Sequence, residues 1–155
     1  MKKLILYVFG ALLITSNAFA SGHEDNLFYK HFNHKNGVAL QGYDVVSYFQ
    51  GTPQKGSADF EVDHNLVVFQ FANQANADAF DRSPEKYLPA YGGWCATAMG
   101  MMNQKLDITP DSYLIENGIL YLFSTSMGPA KDMWLQNQPD VKQKADANWA
   151  RISTR

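Results

Sequence analysis

Two apolar–turn–apolar units constrain this chain more than any other feature. In the first, Asp59-Phe60-Glu61-Val62 alternates polar and apolar residues, and Asp63-His64-Asn65 supplies a bend. Leu66-Val67-Val68-Phe69-Gln70-Phe71 then returns with β-branched and aromatic side chains, the pattern of a β-hairpin. In the second, Ser112-Tyr113-Leu114-Ile115 and Ile119-Leu120-Tyr121-Leu122-Phe123 flank Glu116-Asn117-Gly118. Asn-Gly accepts the two positive φ angles that a tight hairpin bend requires.

Helix signals fill the intervals between them. Val38-Ala39-Leu40 suits a short strand, and Gly42 turns the chain. Asp44 can then cap a helical turn carrying Val45, Val46, Tyr48 and Phe49. Asn73 can cap a helix through Ala75, Ala79 and Phe80. Ser83-Pro84 ends that helix and opens another turn, with Pro84 at its first position. Tyr91-Gly92-Gly93 is a flexible turn, a helix opens at about Trp94, and Gly100 tells against a long one. Helix returns from Pro129 to Trp149 with a break at Pro139, and Trp134, Val141, Ala145 and Trp149 form its apolar stripe. There is no solenoid repeat and no low-complexity linker. These elements predict an α+β fold, a small single domain with antiparallel hairpins packed against short helices.

The chain is 155 residues long, but its first 20 read as a secretory signal peptide. Met1-Lys2-Lys3 is a basic start, Leu4 to Ile14 is apolar, and Ala18-Phe19-Ala20 is a small-residue cleavage signal. The apolar run is too short to span a bilayer. Cleavage after Ala20 leaves 135 residues, with 11 Lys and Arg against 15 Asp and Glu, a formal charge of -4. The expected product is periplasmic or secreted, with no integral membrane segment after cleavage. A sequence pI near 6.0 gives no footprint for nucleic acid.

The single cysteine excludes a disulfide framework and an all-cysteine zinc site within one chain. No phosphate loop, paired-histidine helix or serine elbow is present. The chemistry therefore narrows to Cys95, His64 and the methionines. Cys95 follows Gly92-Gly93-Trp94 and is expected in the first turn of a helix, where free N–H groups stabilise a thiolate. The alternative is an inert buried cysteine. Met99 and Met102 follow it at helical spacing, as core filling or as soft thioether ligands. His64 is either a polar bend residue or a partner of Cys95. Asp107 reads as a capping or turn carboxylate or as a further partner. His23, His31 and His34 lie in the polar stretch 21–35, which reads as a solvated arm or a weak metal-binding tract.

Phe60, His64, Val68-Phe69-Gln70-Phe71, Ala79-Phe80 and Pro84-Glu85-Lys86-Tyr87-Leu88 together resemble the YHS domain. Adding Gly42-Tyr43-Asp44-Val45-Val46-Ser47-Tyr48-Phe49, Tyr91-Gly92-Gly93-Trp94-Cys95-Ala96 and Asn117-Gly118-Ile119-Leu120-Tyr121-Leu122 gives a pattern similar to exported bacterial YHS domain-containing proteins. The resemblance covers residues 36–150, with an N-terminal arm at 21–35 and a tail at 151–155. It implies a small α+β domain and suggests metal binding. The metal-binding versions carry two cysteines where this chain has Ala72 and Asn76, so no cysteine-rich site is implied. The exported group keeps the Gly-Gly-x-Cys feature and includes selenoproteins, which implies redox work as an alternative.

The resulting expectation is a transition-metal site. Cys95, His64 and Met99 are its ligands, and Tyr91, Gly92 and Gly93 support it. Copper is preferred over zinc because Cu(I) accepts few, soft ligands, whereas structural zinc wants four. Binding or delivery of metal, with a metal ion or metal-handling protein as partner, is expected rather than turnover. A thiol redox protein using Cys95 and a non-catalytic interaction module are the alternatives.

Overall fold

A computed structural model describes residues 26–126 and 128–155. The signal peptide expected at 1–20 and His23 lie outside the described residues. The chain runs α1 (Leu27–His31), β1 (His34–Lys35), β2 (Val38–Ala39), α2 (Val45–Phe49), β3 (Ser57–His64), β4 (Val67–Phe71) and α3 (Gln74–Arg82). It continues through α4 (Ala96–Met102), β5 (Tyr113–Glu116), β6 (Ile119–Leu122), α5 (Ala130–Gln136) and α6 (Asp140–Ile152). Short 3₁₀ turns occupy Leu40–Gly42, Pro84–Lys86 and Ala90–Gly93. The architecture is α+β, as the hairpin and helix signals require.

Both hairpins form, and both close on two-residue bends with positive φ. Asn117 (φ 52°) and Gly118 (φ 77°) join β5 to β6, with Glu116 opposite Ile119. Asn65 (φ 53°) and Leu66 (φ 70°) join β3 to β4, with His64 opposite Val67. His64 is therefore the last residue of a strand rather than part of the bend. The first hairpin belongs to a four-stranded sheet in the order β1-β2-β4-β3, and β2 joins β4 in parallel through Val38 and Val68. Along β4, Val67, Phe69 and Phe71 point into the core while Val68 and Gln70 are half-buried on the other face, the period-two alternation of a strand.

Polar caps fix the helices that cover this sheet. The Asp44 carboxylate accepts from Val46 N at 2.8 Å and Ser47 N at 3.2 Å, opening α2. Asn73 does the same for α3 through Asn76 N at 3.0 Å. Trp134, Val141 and Ala145 are buried, and Trp149 packs partly buried beside them. Helix α4 lies against α6 so closely that a β-carbon on Gly100 would sit 2.4 Å from the Val141 carbonyl oxygen. Gly100 thus permits a helix crossing, and α4 runs through it to Met102.

The two ends of the described chain are tied down. His31, Phe32 and Asn33 are buried, so the described part of the 21–35 stretch is not a solvated arm. The His31 Nε2 lies 2.9 Å from the Arg155 carbonyl oxygen, which holds the 151–155 tail against α1. No helix among the described residues is long and apolar enough to cross a membrane.

Candidate functional site

The segment Ala90–Cys95 connects the hairpin halves of the molecule and carries most of the residues singled out above. Tyr91 (φ 56°, ψ 34°) and Gly92 (φ 59°, ψ 25°) are both left-handed, a conformation that costs a non-glycine residue about 1–2 kcal/mol. The buried Asn33 holds the segment in place. Its N–H donates to the Gly92 carbonyl at 2.7 Å and its side-chain amide to the Gly93 carbonyl at 3.0 Å. Trp94 Nε1 donates to the His31 carbonyl at 2.7 Å.

Cys95 sits at the N-cap of α4 with non-helical backbone (φ -57°, ψ 117°), one residue before the helix rather than in its first turn. It is 1% exposed. Its N–H donates to the Leu106 carbonyl at 3.0 Å, and its Sγ accepts from Ser124 N at 3.3 Å. It lines a cavity of about 230 Å³ together with Thr97, Ala98, Met101, Met102, Leu106, Ala130 and Met133. The helical contributors, 97, 98, 101 and 102, form one face of α4. Thr97 Oγ1 donates to the Ala130 carbonyl at 2.6 Å and fastens that face to α5, which brings Met133 to the cavity.

Met99 occupies the opposite face. It is fully buried, and its carbonyl accepts from the buried Asn148 Nδ2 at 2.7 Å. Because Cys95 precedes the helix, the i to i+4 rule does not put Met99 beside it. Met101 and Met133 had no sequence signal linking them to Cys95. Met101 is offset by one residue from the expected face, and Met133 arrives only through the packing of α5.

His64 does not join this group. Its ring stands edge-on to Phe28 at 5.1 Å, Phe80 at 5.8 Å and Phe69 at 6.3 Å, and Asn65 Nδ2 donates to its Nε2 at 3.0 Å. None of these neighbours lines the Cys95 cavity. Asp107 is a loop tie: its Oδ1 accepts from Ile108 N, Gln41 Nε2 and Asn33 Nδ2 at 2.8, 3.1 and 3.2 Å. Ala72 N and Asn76 Nδ2 both donate to Asp44 Oδ2, at 3.0 and 2.6 Å. The two positions noted for missing cysteines thus complete a buried carboxylate's hydrogen bonding. Among the described residues, no three His, Cys, Asp or Glu side chains gather as a metal-binding group.

Tyr91 and Gly92 face a different space, a cleft of about 580 Å³ between α1, the Leu88–Gly92 segment and α6. Tyr91 Oη donates to Asp146 Oδ1 at 2.9 Å, and Lys142 Nζ pairs with Asp146 Oδ2 at 2.7 Å. Burial, and then the adjacent Asp146 carboxylate, push the Tyr91 phenol well above its ordinary range, so it remains a protonated donor. The hydrogen bond to Asp146 holds Lys142 above the usual ammonium range. Gly93 packs on neither side: a β-carbon there would meet Leu40 Cδ2 at 2.4 Å.

Comparisons of the chain with protein-family models, with curated proteins and with solved structures found no match. The chemistry of these residues therefore stands on their geometry.

Proposed function

We propose that this chain is an exported YHS-domain protein that binds a soft transition metal, Cu(I) in preference to zinc, at the Cys95 cavity. The observation that carries this reading is the company Cys95 keeps: three methionines, Met101, Met102 and Met133, line the same cavity. Thiolate and thioether sulfur are soft donors, suited to Cu(I) and poorly suited to hard cations. Zinc would want further nitrogen, oxygen or thiolate ligands, and the cavity lining carries no His, Asp or Glu. His64 and Met99 give way to Met101, Met102 and Met133 in the ligand set.

Burial also favours this reading over thiol redox exchange. A mixed disulfide requires a partner sulfur to reach the thiolate. Cys95 is 1% exposed, and a 230 Å³ cavity admits an ion more readily than a protein disulfide. Two of the methionines, Met101 and Met102, are 51% and 41% exposed, so a metal arriving from a donor protein would meet thioethers first. The bound ion would be held for delivery, with no turnover.

The test is anaerobic Cu(I) titration of the domain against a chromophoric competing chelator. One Cu(I) per chain is expected. Cys95→Ser should lower the affinity at least about 100-fold, the upper range for loss of a metal site's supporting partners, while His64→Ala leaves it unchanged. Equal affinity in the wild type and Cys95→Ser would sink the site.

A further inference from the structure

We propose that the cleft beside α6 is a second binding site, for a small neutral molecule consisting of an aromatic ring system with a hydroxyl group. It is distinct from the Cys95 cavity and does not depend on metal. At about 580 Å³ it falls in the size range of small-molecule sites, about 300–1,000 Å³, which combine apolar walls with a few placed polar groups. Leu27, Phe28, Leu88, Tyr121 and Trp149 supply the walls. Phe28, Tyr121 and Trp149 put aromatic rings in the lining, which favours an aromatic occupant through offset or edge-on contacts.

The polar end is specific. Asp146, Lys142 and Tyr91 all line the cleft and are joined in one chain of hydrogen bonds. His31 also lines the cleft, but both its ring nitrogens are engaged, by the Arg155 carbonyl and by Lys105 Nζ. At the polar end one carboxylate and one ammonium balance each other, so a net-charged ligand meets a like charge at the same place where it meets an opposite one. Each Asp146 oxygen has accepted one bond and keeps a lone pair, and the ammonium keeps two N–H donors. A hydroxyl group can accept from Lys142 and donate to Asp146 at once. A carboxylate can only accept, and an ammonium can only donate.

The cleft is also built rather than left over. Tyr91 is held left-handed, an outlier for a bulky residue, and this conformation accompanies the phenol's reach to Asp146. Trp149 packs where a Gly92 side chain would be: a β-carbon there would lie 2.7 Å from Trp149 Cη2. Strained backbone kept at a cleft lining is a mark of binding sites.

The experiment is fluorescence titration of the full chain with N-phenyl-1-naphthylamine, a neutral aromatic probe, followed by displacement. Saturable binding of one probe per chain is expected. Leu27 and Ile119 line the cleft and are 43% and 42% exposed, so Leu27→Glu and Ile119→Glu put a charge on the walls without burying it in the core. Each should weaken the probe at least tenfold, while Cys95→Ser and Met101→Glu leave it unchanged. 2-Naphthol should displace the probe at lower concentration than naphthalene, 2-naphthoate or naphthylmethylammonium. Non-saturable binding, or binding unaffected by both glutamate variants, would overturn the site. Displacement by 2-naphthoate or naphthylmethylammonium as effective as that by 2-naphthol would overturn the hydroxyl assignment. The Cys95→Ser arm keeps this outcome separate from that of the metal titration.

Discussion

Only Gly92, Gly93 and Trp94 separate Tyr91 from Cys95, yet the two face unlike spaces. Tyr91 and Gly92 open on a wide cleft with ring and aliphatic walls and a hydrogen-bonded ion pair at its edge. Cys95 lines a smaller cavity whose character is set by methionine sulfur. The difference shows that a short motif need not be one site. The left-handed turn at Tyr91 and Gly92 and the non-helical backbone at Cys95 send neighbouring side chains in different directions. Both spaces depend on α6, but through different contacts: Trp149 and Asp146 for the cleft, and the Gly100–Val141 crossing for the helix that bears the methionines.

Breaking that second contact is expected to have a large effect. In Gly100→Val the new side chain would drive into the Val141 backbone, which cannot swing aside as a flexible side chain can. The helices must separate, and overpacking of this kind costs about 3 kcal/mol. Gly92→Ala meets the Trp149 ring first and the His31 carbonyl oxygen less closely, at 3.2 Å, with a φ of +59°, and should cost about 2 kcal/mol, mostly as left-handed strain. Urea denaturation measures both. If Gly92→Ala were the more damaging, the Trp149 ring would be less free to shift than the helix pair. Probe binding in the cleft should fall in Gly92→Ala while Cu(I) affinity holds.

Local chemistry explains which of these features could be read from the sequence. The bend at Asn117-Gly118 is legible because few residues take two successive positive φ angles. The first bend is less so: Leu66 occupies a left-handed position at φ 70° that a leucine does not advertise, so the bend falls at Asn65-Leu66 rather than at Asp63-His64-Asn65. The caps at Asp44 and Asn73 follow from their position before apolar runs. The role of Gly100 does not, because a glycine that breaks a helix and one that admits a neighbouring helix look alike in one dimension. Cys95 stands out as the sole cysteine, but its companions do not. Met133 reaches the cavity through the packing of α5 on α4, to which the Thr97–Ala130 hydrogen bond contributes, and His64 packs elsewhere, against Phe28, Phe69 and Phe80. Asn33, which fixes the whole Gly92-Gly93 turn, lies in a polar stretch with no pattern to mark it.

Two buried tyrosines give a sharper, mid-sized comparison. Tyr91 Oη has a partner in Asp146, whereas Tyr48 Oη is buried with no hydrogen-bond partner among the described residues. Tyr91→Phe should cost about 1 kcal/mol, and Tyr48→Phe should be neutral or slightly stabilising, because removing an unsatisfied buried hydroxyl removes a desolvation cost. Burial raises both phenols above their ordinary range. The protonated form is thus favoured in the folded state. Their contribution is fully present below the unfolded value of about 10 and is lost as pH rises beyond it. Chemical denaturation from pH 8 to 11 should show stability falling above about pH 10, with a shallower fall in either phenylalanine variant. An unchanged slope in both would assign the alkaline loss to other groups.

The smallest stability effect belongs to the residues on which the metal reading depends most. Met101 and Met102 are largely exposed at the mouth of the Cys95 cavity, so the double change Met101→Ala, Met102→Ala should alter stability by no more than about 0.5 kcal/mol. Met99→Ala, on the buried face of the same helix, should cost about 2–5 kcal/mol by leaving a cavity. Three methionines within four residues thus divide into one that supports the fold and two that the core does not need. If the exposed pair serves as soft ligands, their removal lowers Cu(I) affinity while the urea midpoint stays put. If both quantities are unchanged, Cys95 holds the metal without them, or the cavity is only packing. Met99→Leu, which keeps the volume and removes the sulfur, should leave both unchanged and so separates the thioether's chemistry from its bulk.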